Sequence, residues 1–209
     1  MDSFAVINIV AEVLKNLLSS GLKAAFMNNI PGDFVVLQSP KELATEASSC
    51  LSLFLYQVVE NAYVKNQPMR PVLSGQLQYP PLALDCYYLL TPYVDEQTNV
   101  VDIFNTHRVL GRAMQVLYDN AILRGPALMT ILENLTHQDF YNLIEEIRVI
   151  LNPISLDDLT KLWNSLNTPL RLSVSYEVRI IMIESEKREE VRRVVEKEDH
   201  YYQVQGRIY

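Results

Sequence analysis

From Val6 onward, apolar residues recur at steps of three and four. Val6, Ile9, Val10, Val13, Leu14, Leu17 and Leu18 form one stripe, with Asn8, Glu12, Lys15 and Asn16 off it. That period predicts an amphipathic helix, with Asp2 and Ser3 as its caps and Gly21 as its stop, or with Leu22–Phe26 as an extension. After the turn cluster Asn28–Asp33, Phe34–Leu37 reads as a short strand, and residues 38–49, which include Pro40, as a loop or short helix. Cys50–Val59 alternates with apolar residues on both sides, which predicts a strand covered on both faces. Residues 60–81 hold Pro68, Pro71, Pro80 and Pro81 and read as an extended connection, since proline cannot donate to a ladder. A second strand is predicted at Leu82–Leu90.

Helical spacing returns over Asp102–Tyr118 through Ile103, Leu110, Met114 and Leu117. Gly125-Pro126 interrupts it, residues 127–144 are irregular or helical, and Ile147–Leu151 reads as a strand closed by Pro153. Ser155 and Asp158 make a capping box for a helix carrying Leu159, Leu162, Trp163 and Leu166. Leu170–Ile183 is the longest strand in this reading. Its apolar face runs Leu172–Met182 in steps of two; Arg171, Ser173, Ser175, Glu177 and Arg179 face the other way, toward water or a partner. Beyond Ser185 the composition shifts. Glu186–Asp199 is dense in charge and spaced as a thin helix, and His200–Tyr209 alternates again through Tyr202, Val204 and Ile208. The boundaries that follow are a domain at residues 1–185 and a charged arm at 186–209.

The chain has 209 residues, 49% of them hydrophobic and 21% charged. It is long enough to fold around its own core without a metal or disulfide staple. A net charge of −7 argues against binding duplex nucleic acid, which takes a basic footprint. Cys50 and Cys86 lie in apolar runs and read as buried thiols. No run approaches the roughly 18 uninterrupted apolar residues of a membrane span. The polar interruptions after Asp2 also differ from a secretory signal, so assembly in the cytoplasm is expected.

Chemistry is sparse. His107, His137 and His200 are far apart and match no metal-ligand spacing, and neither a nucleophile elbow nor a phosphate loop occurs. Neither a cofactor nor a catalytic residue is predicted. Asp157 and Asp158 suit a helix first turn. An enzyme using Asp85 and His107 is the weaker alternative. Twelve tyrosines stand out. Tyr87, Tyr88, Tyr93, Tyr176, Tyr201, Tyr202 and Tyr209 are read either as contact surface or as core with the hydroxyl at the rim.

Four stretches carry a resemblance: Leu53–Pro68 (LFLYQVVENAYVKNQP), Tyr79–Thr91 (YPPLALDCYYLLT), Val109–Asn120 (VLGRAMQVLYDN) and Pro153–Tyr176 (PISLDDLTKLWNSLNTPLRLSVSY). With the first helix they resemble the tail-cap, or tail-terminator, proteins of extracellular contractile injection systems, phage-tail-like particles with a tube inside a sheath. The resemblance implies an α+β fold, a mostly antiparallel or mixed sheet flanked by helices, with a C-terminal extension. It also implies a non-enzymatic role. Six copies would form a ring on the baseplate-distal end of tube and sheath, stop their polymerisation and hold one to the other. The implied partners are further copies of the chain and the tube and sheath proteins, within a particle that is released or cell-associated. Another tail component, such as an adaptor or tube-end protein, is the alternative. Tyr201, Tyr202, Val204, Ile208 and Tyr209 are the expected interface residues, from their alternation beyond a charged segment.

Overall fold

Three long antiparallel strands organise the fold in the computed structural model, which describes residues 3–26, 33–43, 50–73, 75–93, 100–134, 144 and 146–190. They are β2 (Cys50–Glu60), β5 (Leu82–Tyr93) and β8 (Val174–Ile183), with β5 in the middle. β1 (Val35–Val36) adds in parallel to β2, while β7 (Glu146–Asn152) and β6 (Ile122–Arg124) add antiparallel beyond β8. The resulting six-stranded mixed sheet has the order β1-β2-β5-β8-β7-β6. The helices are α1 (Val6–Ala25), α2 (Pro40–Leu43), α3 (Val100–Asp119), α4 (Gly125–Asn134) and α5 (Leu156–Ser165). The architecture is α+β, as expected.

The chain divides into two compact units, Met1–Lys65 with Pro81–Glu184, and Asn66–Pro80 with Ser185–Tyr209. In the first, the α1 stripe meets alternate residues of the sheet. Ile9, Val13, Leu14 and Leu18 join Leu51, Leu53, Cys86, Tyr88, Leu90 and Val178 in one core, with Ala113, Val116 and Leu117 of α3. The stretch Ser3–Ala25 is long and apolar enough to cross a bilayer. Its apolar stripe, however, is buried in this core, as in a helix of a globular domain. No side chain caps α1. A 3₁₀ turn, Ser3–Ala5, leads into it, and the Ser3 hydroxyl donates to the Glu184 carbonyl instead.

Gly21 does not stop α1, which runs on to Ala25. The glycine permits close approach to α3. A Cβ built there would lie 2.4 Å from Val116 Cγ2, and Arg112 Nε donates to the Gly21 carbonyl at 3.3 Å. α5 begins as its capping box predicts, with Asp158 N–H donating to Ser155 Oγ at 3.1 Å. A second box, unread in the sequence, starts α2. Ser39 N–H donates to Glu42 Oε2 at 2.9 Å and Glu42 N–H to Ser39 Oγ at 3.4 Å, with Pro40 in the first turn.

The second unit corrects two expectations. Residues 60–81 are not merely extended, because β3 (Arg70–Leu73) and β4 (Gln76–Gln78) pair as a hairpin. Gly75, at φ +82°, precedes β4. Pro71 is tolerated because β3 is an edge of its sheet. The helix expected over Glu186–Asp199 is overturned at its start, since Arg188–Glu190 form β9, antiparallel to β4, while residues 191–199 lie outside the described residues. Pairing outweighs helical spacing here. Gln78 Nε2 donates to the Ser185 carbonyl, Tyr79 N–H donates to the Lys187 carbonyl, and Lys187 Nζ sits 4.2 Å from the Tyr79 ring centre.

Two glycine substitutions should act in opposite directions. Gly21→Ala is expected to destabilise by about 1–3 kcal/mol through overpacking. Gly111, on α3 with no atom near its missing Cβ, should gain about 0.5–1 kcal/mol as alanine. Urea unfolding of both variants checks the signs, and Val116→Ala should recover most of the Gly21→Ala loss.

Buried acids set an alkaline limit. Burial, reinforced by Asp85, pushes the Cys86 thiol up to about 11 from an ordinary 9. Burial also raises Tyr93 to about 12 and Tyr88 further still. Groups raised by folding bind more protons in the native state, so their contribution is complete below pH 9 and is lost as pH climbs through 9–12. Stability measured by denaturant should therefore be flat between pH 7 and 8.5 and fall above about 9.5. Cys86→Val should delay the first part of that fall.

Candidate assembly surface

Alternation along β5 and β8 sends Cys86, Tyr88, Tyr176 and Val178 into the helical core and their neighbours to the opposite face of the sheet. That second face carries a network of polar side chains, with the Thr91 hydroxyl left buried and unpaired. The Tyr56 and Ser175 hydroxyls are 2.9 Å apart, and Asn152 Nδ2 donates to Ser175 Oγ at 3.0 Å. Along β8, the Tyr87 hydroxyl donates to Glu177 Oε1 at 3.0 Å, and Arg179 Nε lies 2.8 Å from the same oxygen. Burial, then the hydrogen bond and charge of Glu177, push the Tyr87 phenol up to about 12. Trp163 of α5 is buried and donates its indole N–H to Ser173 Oγ at 3.2 Å.

The polar side of β8 was expected to meet water or a partner. Instead, Ser175 and Glu177 are buried, 1% and 7% exposed. The strand also starts at Val174 rather than Leu170, leaving Leu170 and Leu172 exposed. A buried carboxylate is tolerable only with charge-assisted partners, which Tyr87 and Arg179 supply.

Asp85 is held in the same way. Asn61 Nδ2 donates to both of its carboxylate oxygens, at 3.1 and 2.9 Å, while Asn61 Oδ1 accepts the Tyr63 and Val64 amides. Asn61 thus fixes the turn after β2 and gives a buried acid its hydrogen-bond donors at once. His107 is exposed on α3, and no hydrogen bond or ion pair joins it to Asp85 among the described residues. The enzyme alternative therefore loses its geometry. Cys50 and Cys86 are free and buried, and no group of three His, Cys, Asp or Glu side chains placed to hold a metal occurs among the described residues.

What the surface does offer is apolar. A groove of about 290 Å³ between α3 and the sheet is lined by Met114, Leu117, Tyr118, Val149, Leu151 and Tyr176. Tyr118 is 82% exposed and Leu151 51%. The second half of β2, expected to be covered, is exposed at Gln57–Glu60, including Val58 and Val59. Among the tyrosines singled out from the sequence, Tyr88, Tyr93 and Tyr176 are core. The most exposed tyrosines among the described residues, Tyr63 and Tyr118, were not singled out. Their signal is positional, since Tyr118 stands off the α3 stripe beside Asp119, and Tyr63 follows the Asn61 turn. Tyr201, Tyr202, Val204, Ile208 and Tyr209 lie outside the described residues.

Two solved structures share this arrangement of strands and helices. The PVC sheath/tube terminator of an extracellular contractile injection system, in its extended state, is 18% identical with a TM-score of 0.56, covering 90% of this chain and 63% of its own. The tube-terminating cap of the anti-feeding prophage is 20% identical with a TM-score of 0.53, covering 89% and 59%. This chain thus spans less than two thirds of the length of either. No curated protein matches it. The family model described as the Pvc16 N-terminal domain matches residues 9–197, nearly the whole chain, and the chain belongs to that family.

Proposed function

We propose that this chain works as a structural cap of a contractile injection particle, ending its tube and sheath at the end away from the baseplate. The observation that carries the reading is the family match over residues 9–197, joined to a fold shared with two terminators. Six copies close a ring through a heterologous contact repeated by rotation, and a closed ring leaves no equivalent site for the next subunit of a polymer. The ring holds sheath to tube during contraction. Its partners are copies of itself and the tube and sheath proteins, and it assembles in the cytoplasm before becoming part of the particle. Residues 1–185 supply the cap domain, and 186–209 an arm that is anchored on β4 through β9 and reaches a neighbour with the residues beyond.

The site chemistry supports a role by shape. Asp85, Glu177 and Ser175 are occupied by structural hydrogen bonds, so none is poised as a base or nucleophile. The exposed apolar groove and Tyr118 at its rim supply contact area.

Electron microscopy of particles from a strain lacking this chain is the test. Tubes and sheaths should be of uncontrolled length, or the particles should fall apart. Particles of wild-type length and stability would overturn the reading. Particles that are intact but lack an attached end structure would mark an adaptor instead.

A further inference from the structure

The sheet edges of this protein are guarded unevenly. β1 and β6 are two and three residues long. β3 carries Pro71, and β9 consists of Arg188, Glu189 and Glu190. Short strands, proline and charge are the usual ways to stop an edge from recruiting another strand. The outer edge of β2 carries no proline and no charge from Phe54 to Val59, and its one interruption is the bulge between Leu55 and Gln57, so Val58 and Val59 beyond it form a regular edge. β1 covers only Leu51 and Ser52, and no backbone hydrogen bond reaches the outer side of the remainder among the described residues.

The direction of the open groups follows from the ladder. Asn61 N–H points inward, donating to the Ala83 carbonyl at 2.9 Å. Because N–H and C=O of alternate residues point to opposite sides, Val59 also faces β5, while Val58 and Glu60 present theirs outward. The irregularity between Leu55 and Gln57 shifts this pattern by one residue relative to the start of the strand, where Leu51 N–H points outward to Phe34. Val58 and Val59 are 42% and 40% exposed, so both the backbone and an apolar pair await a partner.

We propose that this edge, Val58–Glu60 and the residues before it, receives residues 200–209 of a second copy as an added strand. The proposal rests on the ring reading and names how its copies join. The donor fits in three respects. Tyr202, Val204 and Ile208 alternate as an added strand requires. Arg207 gives the donor a charge opposite to that of Glu60, exposed at the end of the edge. Residues 191–209 follow the end of β9 and reach roughly 60 Å when extended, enough to cross to an adjacent subunit.

Val58→Pro removes an outward N–H without touching the β2–β5 ladder, and Val58→Lys keeps the N–H but adds a gatekeeping charge. Both full-length variants should unfold like the wild type in urea. Self-association by analytical ultracentrifugation should weaken roughly tenfold or more. Hydrogen exchange of the wild type should show the Val58 and Glu60 amides, together with 200–209, gaining protection only at concentrations where the chain assembles. Protection in the monomer would mean the edge is covered within one chain and would overturn the proposal. A ring that assembles with these amides unprotected, or unaffected by either variant, overturns strand exchange but leaves the ring. A chain that stays monomeric at every concentration overturns both.

Discussion

Everything in the larger unit depends on the burial of one face of the β2–β5–β8 ladder beneath α1 and α3. The constraint is steric as much as hydrophobic. α1 lies close to α3 because Gly21 lets the Val116 side chain in, and Val13, Leu14 and Leu18 then fill the space over Leu53, Cys86 and Leu90. Interiors packed at crystal-like density have no slack to absorb an extra methyl at such a crossing. With that face occupied, alternation leaves the other face of the same strands to polar residues and to α5.

The second face shows how a sheet carries polar groups without paying the desolvation cost of leaving them unpaired. The buried Ser175 meets Tyr56 and Asn152, Glu177 meets Tyr87 and Arg179, and Asp85 meets Asn61, whereas the Thr91 hydroxyl is buried without a partner. These bonds tie β2, β5, β7 and β8 together through side chains as well as through the ladder. They also consume the groups a catalytic reading would have needed. A carboxylate saturated by a side-chain amide and a serine hydroxyl engaged by two neighbours are fixed in place, which favours a rigid building block over a reacting centre.

Much of this was legible because the signals were local. The α1 stripe, the Ser155 box and the alternation of β5 each state a period or a cap within a dozen residues, and the described structure follows them. What failed was non-local. Proline at 71 argues against a central strand, but nothing in residues 60–81 reveals that their hairpin belongs to a separate small sheet whose edge tolerates it. Charge spacing after Ser185 favours a helix until Gln76–Gln78 presents an edge to pair with. Ser175 and Glu177 look solvent-facing along β8, and only the positions of Tyr56, Tyr87 and Asn152, distant in sequence, reveal that they are paired. Gly21 reads as a stop because glycine serves both ends and crossings of helices, and the crossing partner lies far along the chain. The four stretches that carried the family resemblance run through β2, β5, α3 and α5, which is why fold and family were readable together while contact residues were not.

A cap that ends a polymer must satisfy two opposed demands. It has to bind its own copies strongly enough to close, yet present no face on which the polymer continues. A fold whose sheet edges were all open would invite indefinite addition, and one whose edges were all blunted would remain a monomer. The distribution seen here falls between these extremes. Short strands, Pro71 and the charges of β9 close most edges; among the described residues β2 beyond β1 stays open beside the exposed Val58 and Val59, and the end of β7 beyond β6 is unpaired too. Under the proposed reading, one acceptor and one donor per subunit are used up when the ring closes, because every copy then both gives and receives a strand. Termination becomes a consequence of counting: a heterologous contact consumed completely within a closed ring leaves nothing for a seventh copy.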